Sequence, residues 1–471
     1  MTQTNTGNPP RQAVVLIHGI GEQRPMDTLR SFVAAFLAEG TYHSKPDTLS
    51  DSYELRRLKL RKCVSDDPSK SCNTDWPETD FYEYYWAHQM YGTTVSHITS
   101  WLWSLMVHGL AAIRSTRPEY HPRLKWLVPL AWIVALTVIA VMVGVAVHTG
   151  MGMTMKLGLA GAFVMALWGL ARAPLLGVFT DFAGDAARYF DVNPKNITRR
   201  YDILRGGIAM LRKLHDDRDE TNTKVMHRYG RVVLVGHSLG SVIAYDILRH
   251  YWHEVNGQIP VDALDFTEVE SFEGGNGQAS FPGATPYTDA DRFRSAQRKA
   301  WQALNRQSPA GVRISKKNTA SKPGRRWIVT DLVTLGSPLT YAPLLLADNA
   351  KGLEEKMRLR ELPTCPPDRS RNLNPGRFTV KLAAEAERFQ HYDILPQGAY
   401  FALTRWTNLY FNNDPVGGPL GSAFGRGVED VWLDGSGFLP IAAHLGYWSS
   451  SKPGTKPARD RLEAILKRWV T

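Results

Sequence analysis

Apolar positions fall into short, nearly unbroken runs, each followed by small or turn-forming residues. Ala13–Ile17, Val232–Val235, Trp327–Leu335 and Trp406–Phe411 are of this kind. Runs of four to nine residues rich in β-branched and aromatic side chains predict strands covered on both faces. Tyr53–Leu60 alternates instead, Asp80–Ala87 is dense in aromatics, and Val428–Asp434 closes the series; all three read as strands. Helical spacing marks Thr28–Leu37, stopped by Gly40, then Val242–Leu248, a polar stretch from Asp289 to Gln307 and a charged region from Leu344 to Arg360. At 471 residues the chain is long enough for one large α/β domain carrying insertions, or for two domains.

Two stretches break this pattern. Trp126–Val147 runs for about 22 residues without a charge and with one proline, long enough to cross a bilayer. Leu157–Phe179 is similar in length but carries Arg172 and Pro174, and a short link with His148, Gly150 and Lys156 joins the two. A buried core helix is the competing reading, yet soluble helices keep a polar face. A transmembrane hairpin is therefore expected. Arg114, Arg117, Arg123 and Lys125 precede it and Arg172 and Arg188 lie at or after its end, which puts both arms in the cytoplasm of a bacterial-type inner membrane. Ile98–Ile113, with Trp101, Trp103 and Leu105, reads as a helix lying on the membrane, a short third span being the alternative; two spans are preferred because an odd number would put the halves of one sheet on opposite sides. The chain thus divides into 1–90, a membrane-associated insertion over 91–180 with spans near 126–147 and 157–179, and 181–471. The last part completes the domain begun by the first and holds a polar insertion at about 253–325. That insertion reads equally as a lid or as a surface excursion.

Charge narrows the partners. A net charge of +11 suits nucleic acid or an anionic membrane surface. No helix-turn-helix, zinc spacing or RNA-binding aromatic motif accompanies it, so nucleic acid is set aside and the bilayer kept. Cys63, Cys72 and Cys365 form no disulfide framework and no metal-ligand spacing. Met1–Gln12 is polar, so no secretory signal is expected at the front. No metal or organic cofactor is expected either, and the oligomeric state is left open.

The chemistry lies where the run Val232–Val235 meets Gly236-His237-Ser238-Leu239-Gly240 and a helical pattern follows. A strand, a tight turn and a helix leave no room for side chains at 236 and 240, and the turn lifts the serine clear of the sheet. The Leu239 amide at the helix start can then face a developing oxyanion. In this setting the stretch resembles the nucleophile elbow of α/β-hydrolase serine lipases and esterases. The resemblance covers Ala13–Trp86 and Arg231–Trp448, and implies that family's α/β fold, a mostly parallel sheet flanked by helices, with the hairpin and the polar insertion as departures from it.

The same resemblance assigns further residues. His18-Gly19-Ile20-Gly21 after the first strand resembles the oxyanion loop, which makes the Ile20 backbone the partner of Leu239; a plain glycine turn is the alternative. Asn412-Asn413-Asp414-Pro415-Val416 resembles the acid loop, and His444 follows the next strand, where the base is expected. His391 and Glu83 break the chain order, His237 and His18 belong to the two loops, Asp331 is mid-strand, and Asp430 and Asp434 come one strand late. Ser337, in Gly-Ser-Pro, lacks an elbow and reads as a turn residue. The expectation is a membrane-anchored serine hydrolase cleaving carboxylic esters, of lipids above all, through Ser238, His444 and Asp414. A thioesterase, an exported antibacterial lipase toxin and a non-catalytic membrane interaction protein on a hydrolase scaffold stand as alternatives.

Overall fold

The computed structural model describes residues 11–20, 24–50, 52, 54–60, 76–90, 189–190, 194–216, 218–219, 226–259, 267–270, 286–307, 327–347, 349–367, 380–383, 391–394, 397–435, 440–449 and 456–468. Among them are strands β1 (Arg11–Ile17), β2 (Tyr42–Pro46), β3 (Arg56–Leu60), β4 (Thr79–Tyr84), β5 (Arg218–Asp219), β6 (Met226–His227), β7 (Tyr229–His237), β8 (Val329–Leu335), β9 (Val380–Ala383), β10 (His391–Ile394), β11 (Arg405–Phe411) and β12 (Val428–Leu433). Eight of these form one sheet in the order β12-β11-β8-β7-β1-β4-β3-β2. Every ladder from β12 to β4 is parallel, while β3 pairs antiparallel with β4 and with β2. β5 with β6 and β9 with β10 make two small antiparallel ribbons. The expected α/β architecture with a mostly parallel sheet is observed.

Helices cover both faces, which is why the central strands read as continuous apolar runs. Ala13, Val15 and Ile17 of β1 and Val232 and Leu234 of β7 face one core; Val14, Leu16, Val233 and Val235 face the other. α1 (Asp27–Ala34) covers the second core with Leu29, Phe32 and Val33. α2 (Pro194–Asp216), α3 (Leu239–Val255) and α4 (Pro286–Gln307) cover the first. α5 (Ala350–Arg358) adds Leu353 to that side, and α6 (Lys456–Lys467) returns to the second face with Ala458, Leu462, Ile465 and Leu466.

A buried ionic centre ties the N-terminal ends of the strands to α6. The Arg231 guanidinium donates to Asp331 at 2.7 Å and to the Ile465 carbonyl at 3.0 Å, and Arg405 reaches the same carboxylate at 2.8 Å. Burial pushes the Asp331 carboxyl up, but Arg405 and Arg231 outweigh it and hold the group well below the ordinary carboxylate range. Asp331 is thereby spoken for as a structural residue, far from the opposite edge where the loops meet.

Several boundaries differ from those expected. α1 ends at Ala34 rather than Leu37, and β4 stops at Tyr84, so Tyr85 and Trp86 belong to the following loop. β2 was not foreseen: it is an edge strand of Tyr-His-Ser-Lys-Pro paired on one side only. The helical reading of Leu344–Arg360 is divided in two, because Asn349 accepts the Gly352 amide at 2.9 Å and starts α5 anew. α4, inside the expected polar insertion, packs onto the sheet. Phe293, Ala296, Ala300, Trp301 and Leu304 sink into the core, and Gln297 donates to the carbonyls of Phe401 and Thr404. The two apolar stretches and the interfacial helix fall outside the described residues. Among the described residues no helix is long and apolar enough to cross a membrane.

Candidate active site

The loops after β1, β7, β11 and β12 meet at the C-terminal edge of the sheet. β7 delivers Ser238 with φ 54° and ψ −130°, a conformation that costs a non-glycine residue roughly 1–3 kcal/mol. Its neighbours leave the turn no other shape. A methyl on Gly236 would lie 2.5 Å from Cα of Ser241, and one on Gly240 would run into the carbonyls of Ile17 and His18. The strained backbone is held by hydrogen bonds. The Ser238 amide donates to Leu335 at 2.9 Å, and its carbonyl accepts the Ser241 hydroxyl at 2.5 Å and the Ser241 amide at 3.0 Å.

Ser238, His444 and Asp414 come together. Nε2 of His444 and Oγ of Ser238 are 3.0 Å apart, and Nδ1 of His444 lies 3.0 Å from both carboxylate oxygens of Asp414. An ionised carboxylate can only accept, so the proton sits on Nδ1 and Nε2 presents its lone pair to the serine hydroxyl. All three are buried, Asp414 completely. Burial raises the Asp414 carboxyl, yet the facing imidazole, the Tyr447 hydroxyl and the Val416 amide prevail and keep it below its ordinary value.

Residues that the sequence did not single out complete the site. Tyr447 donates its hydroxyl to Oδ2 of Asp414 at 2.7 Å and accepts the Phe411 amide at 3.2 Å. Gly336, at the end of β8 with φ +55°, forms the floor: a methyl there would lie 2.7 Å from Oδ2 of Asp414 and 3.0 Å from Nδ1 of His444. Gly417 packs beneath it, where a methyl would meet Cα of Gly336 at 2.5 Å. The only local hints were glycines in Gly336-Ser337-Pro338 and Pro415-Val416-Gly417-Gly418, and an aromatic pair after His444-Leu445-Gly446.

The loop after β1 lies across the elbow. A methyl on Gly19 would be 3.0 Å from Cβ of Ser238 and would press on it, so the bare backbone passes closely over the serine. His18 is buried; burial brings its pKa down to about 4, and the ring is neutral. Nδ1–H of His18 donates to the Gly19 carbonyl at 2.7 Å, Nε2 accepts the Trp86 amide at 3.3 Å, and the Trp86 indole stacks on the ring and donates to the His18 carbonyl. Ile20 is half-buried against the first core. Leu239 opens α3, where an N–H has no carbonyl four residues back to serve.

The rival residues are occupied elsewhere. His391 lies on β10, outside the main sheet. Asp430 accepts the amides of Leu420 and Gly421 and the side chain of Asn408. Glu83 accepts the Met26 amide at 2.7 Å beside α1. Ser337 accepts the Leu339 amide and caps a short 3-10 turn, as a turn residue would. Among the described residues no cluster of His, Cys, Asp and Glu is placed to hold a metal ion. No protein-family model, curated protein or solved structure matches this chain.

Proposed function

We propose that the chain is a serine hydrolase that cleaves carboxylic esters of lipids through an acyl-enzyme, anchored at an anionic membrane by its apolar stretches. One observation carries the chemistry: the unbroken hydrogen-bond chain from Ser238 through His444 to Asp414, mounted on a strained elbow. In the first half-reaction Oγ of Ser238 attacks the ester carbonyl carbon while Nε2 of His444 takes the hydroxyl proton. The imidazolium then gives that proton to the departing alkoxide. In the second half-reaction water enters by the same route, and the fatty acid leaves as Ser238 is reprotonated. Asp414 fixes the imidazole tautomer and stabilises its charged form. The Leu239 amide, at the positive end of the α3 dipole, and the Ile20 amide hold the oxyanion.

The lipid preference draws on other features. The net charge of +11 and the two apolar stretches, Trp126–Val147 and Leu157–Phe179, would hold the enzyme where acyl lipids are concentrated. The test is fluorophosphonate labelling of membranes carrying wild type or Ser238→Ala, together with fatty-acid release from phospholipid vesicles. Labelling confined to wild type, with release from vesicles, is the expected result. A folded wild type that resists the probe would refute the chemistry; hydrolysis limited to short water-soluble esters would refute the lipid assignment.

A further inference from the structure

The residue just before the nucleophile has no part in the proton relay, yet it meets both the loop carrying the base and the loop crossing the serine. His237 is buried at the end of β7. Its Nε2–H donates to the backbone carbonyl of His444 at 2.8 Å, although the two residues are 207 positions apart. Its ring lies 5.0 Å from the His444 ring, 5.8 Å from that of Tyr447 and 5.1 Å from that of Trp448. On its other side, a methyl on Gly19 would come within 3.3 Å of Nδ1. The loop carrying the base, the loop passing over the serine and the strand carrying the serine therefore converge on one imidazole.

We propose that His237 is a positioning residue: its Nε2–H keys the loop bearing His444 to the elbow bearing Ser238. The inference rests on the hydrolase reading of the site. A carbonyl can only accept, so the bond requires a proton on Nε2. Burial and the neighbouring His444 lower the His237 pKa to about 3, so the ring stays neutral through the working range and cannot compete as a second base. His444 is the last residue of a five-residue helix (Pro440–His444), too short to hold a ring in place alone, and its carbonyl is the handle by which β7 sets it. Placement matters because Nε2 must stay at 3.0 Å from Oγ, and an error near 1 Å costs on the order of 100-fold in rate.

The experiment compares His237→Gln with His237→Asn in the full chain, using a p-nitrophenyl butyrate assay, fluorophosphonate labelling and thermal unfolding. The glutamine amide nitrogen reaches about where Nε2 stands; that of asparagine stops one methylene short. The proposal expects His237→Gln to keep kcat within about threefold of wild type, and His237→Asn to lose roughly 10- to 100-fold in kcat with KM unchanged. Labelling rates should fall in parallel. Equal rates in the two variants, whether both high or both low, would overturn it, as would a loss appearing in KM alone. An inactive, unlabelled but folded wild type would instead bring down the hydrolase reading and this inference with it. Active wild type beside indistinguishable variants brings down this inference only.

Discussion

Gly336→Ala attacks the floor of the site without altering any of the three reacting side chains. A methyl there would stand 2.7 Å from Oδ2 of Asp414, 2.8 Å from Tyr447 and 3.0 Å from Nδ1 of His444. These gaps fall roughly 0.5–0.8 Å short of ordinary van der Waals contact. The carboxylate and imidazole are themselves only 3.0 Å apart, so the methyl acts as a wedge between them. Displacement of the base on the ångström scale costs on the order of 100-fold, and full loss of the carboxylate's hold on the tautomer about 10⁴-fold. The expected fall in kcat lies between those limits.

The same substitution also strains the fold, because φ is +55°. An alanine in that region costs about 1–2 kcal/mol and overpacking adds about 1–3 kcal/mol. Gly40→Ala supplies the control: its φ is +85° but nothing lies within 4 Å of the added methyl. It should lose about 1–2 kcal/mol of stability and keep full activity. Ester turnover at saturating substrate, read beside thermal unfolding, separates the two effects. A folded Gly336→Ala enzyme working within about threefold of wild type would refute the claim that this glycine sets the Asp414–His444 contact.

Three further outcomes can be checked. Tyr447→Phe removes one donor from Asp414 and leaves the ring packed; kcat should fall on the order of 10-fold, and an unchanged kcat contradicts the role. His18 and His237 have pKa values lowered to about 4 and about 3, against about 6.5 in the unfolded chain. Between those limits the unfolded chain binds the proton and the native chain does not. Stability is therefore whole above about pH 6.5 and falls as pH drops, by on the order of 3–5 kcal/mol per group; denaturant midpoints flat from pH 7 to 4 would refute this. Glu83 is the opposite case: burial raises its carboxyl to about 7, so its contribution is complete below about pH 4.5 and is lost as pH rises through 7. Glu83→Gln should gain up to about 3 kcal/mol over wild type at pH 8 and almost nothing at pH 5, and an equal gain at both would count against the assignment.

What could be read from the sequence was whatever local sterics or chain order dictate. Gly236 and Gly240 are forced by contacts within a few residues of the serine or by the strand beside it, so the elbow is written in a five-residue string. Asp414 and His444 come from the resemblance of their loops to a hydrolase's, and the structure places the two side chains 3.0 Å apart. Gly336, Gly417 and Tyr447 could not be read this way, because their reasons arise only once β8, β11 and β12 lie side by side. His237 reads from the sequence only as part of the elbow loop, because its bond to His444 spans 207 positions. β2 stayed hidden because an edge strand paired on one side needs no apolar alternation. α4 read as polar because its apolar stripe is sparse: Phe293, Ala296, Ala300, Trp301 and Leu304 are spaced for one face, with charges filling the rest.

The topology bears on the proposed preference for a lipid ester. β4 runs parallel to β1 and ends at the same edge, and the chain then passes Trp86, whose indole and amide hold His18. Tyr189 donates its hydroxyl to Asp246 of α3 at 2.7 Å, on the helix that begins with Leu239. Trp86 and Tyr189 are thus both fastened to elements that build the elbow. If Trp126–Val147 and Leu157–Phe179 span a bilayer as proposed, nine residues separate the second stretch from Tyr189 and thirty-five lie between Met90 and the first. The proposed lipid substrate would then be concentrated where the chain is anchored, whereas a water-soluble ester would gain nothing from such an anchor.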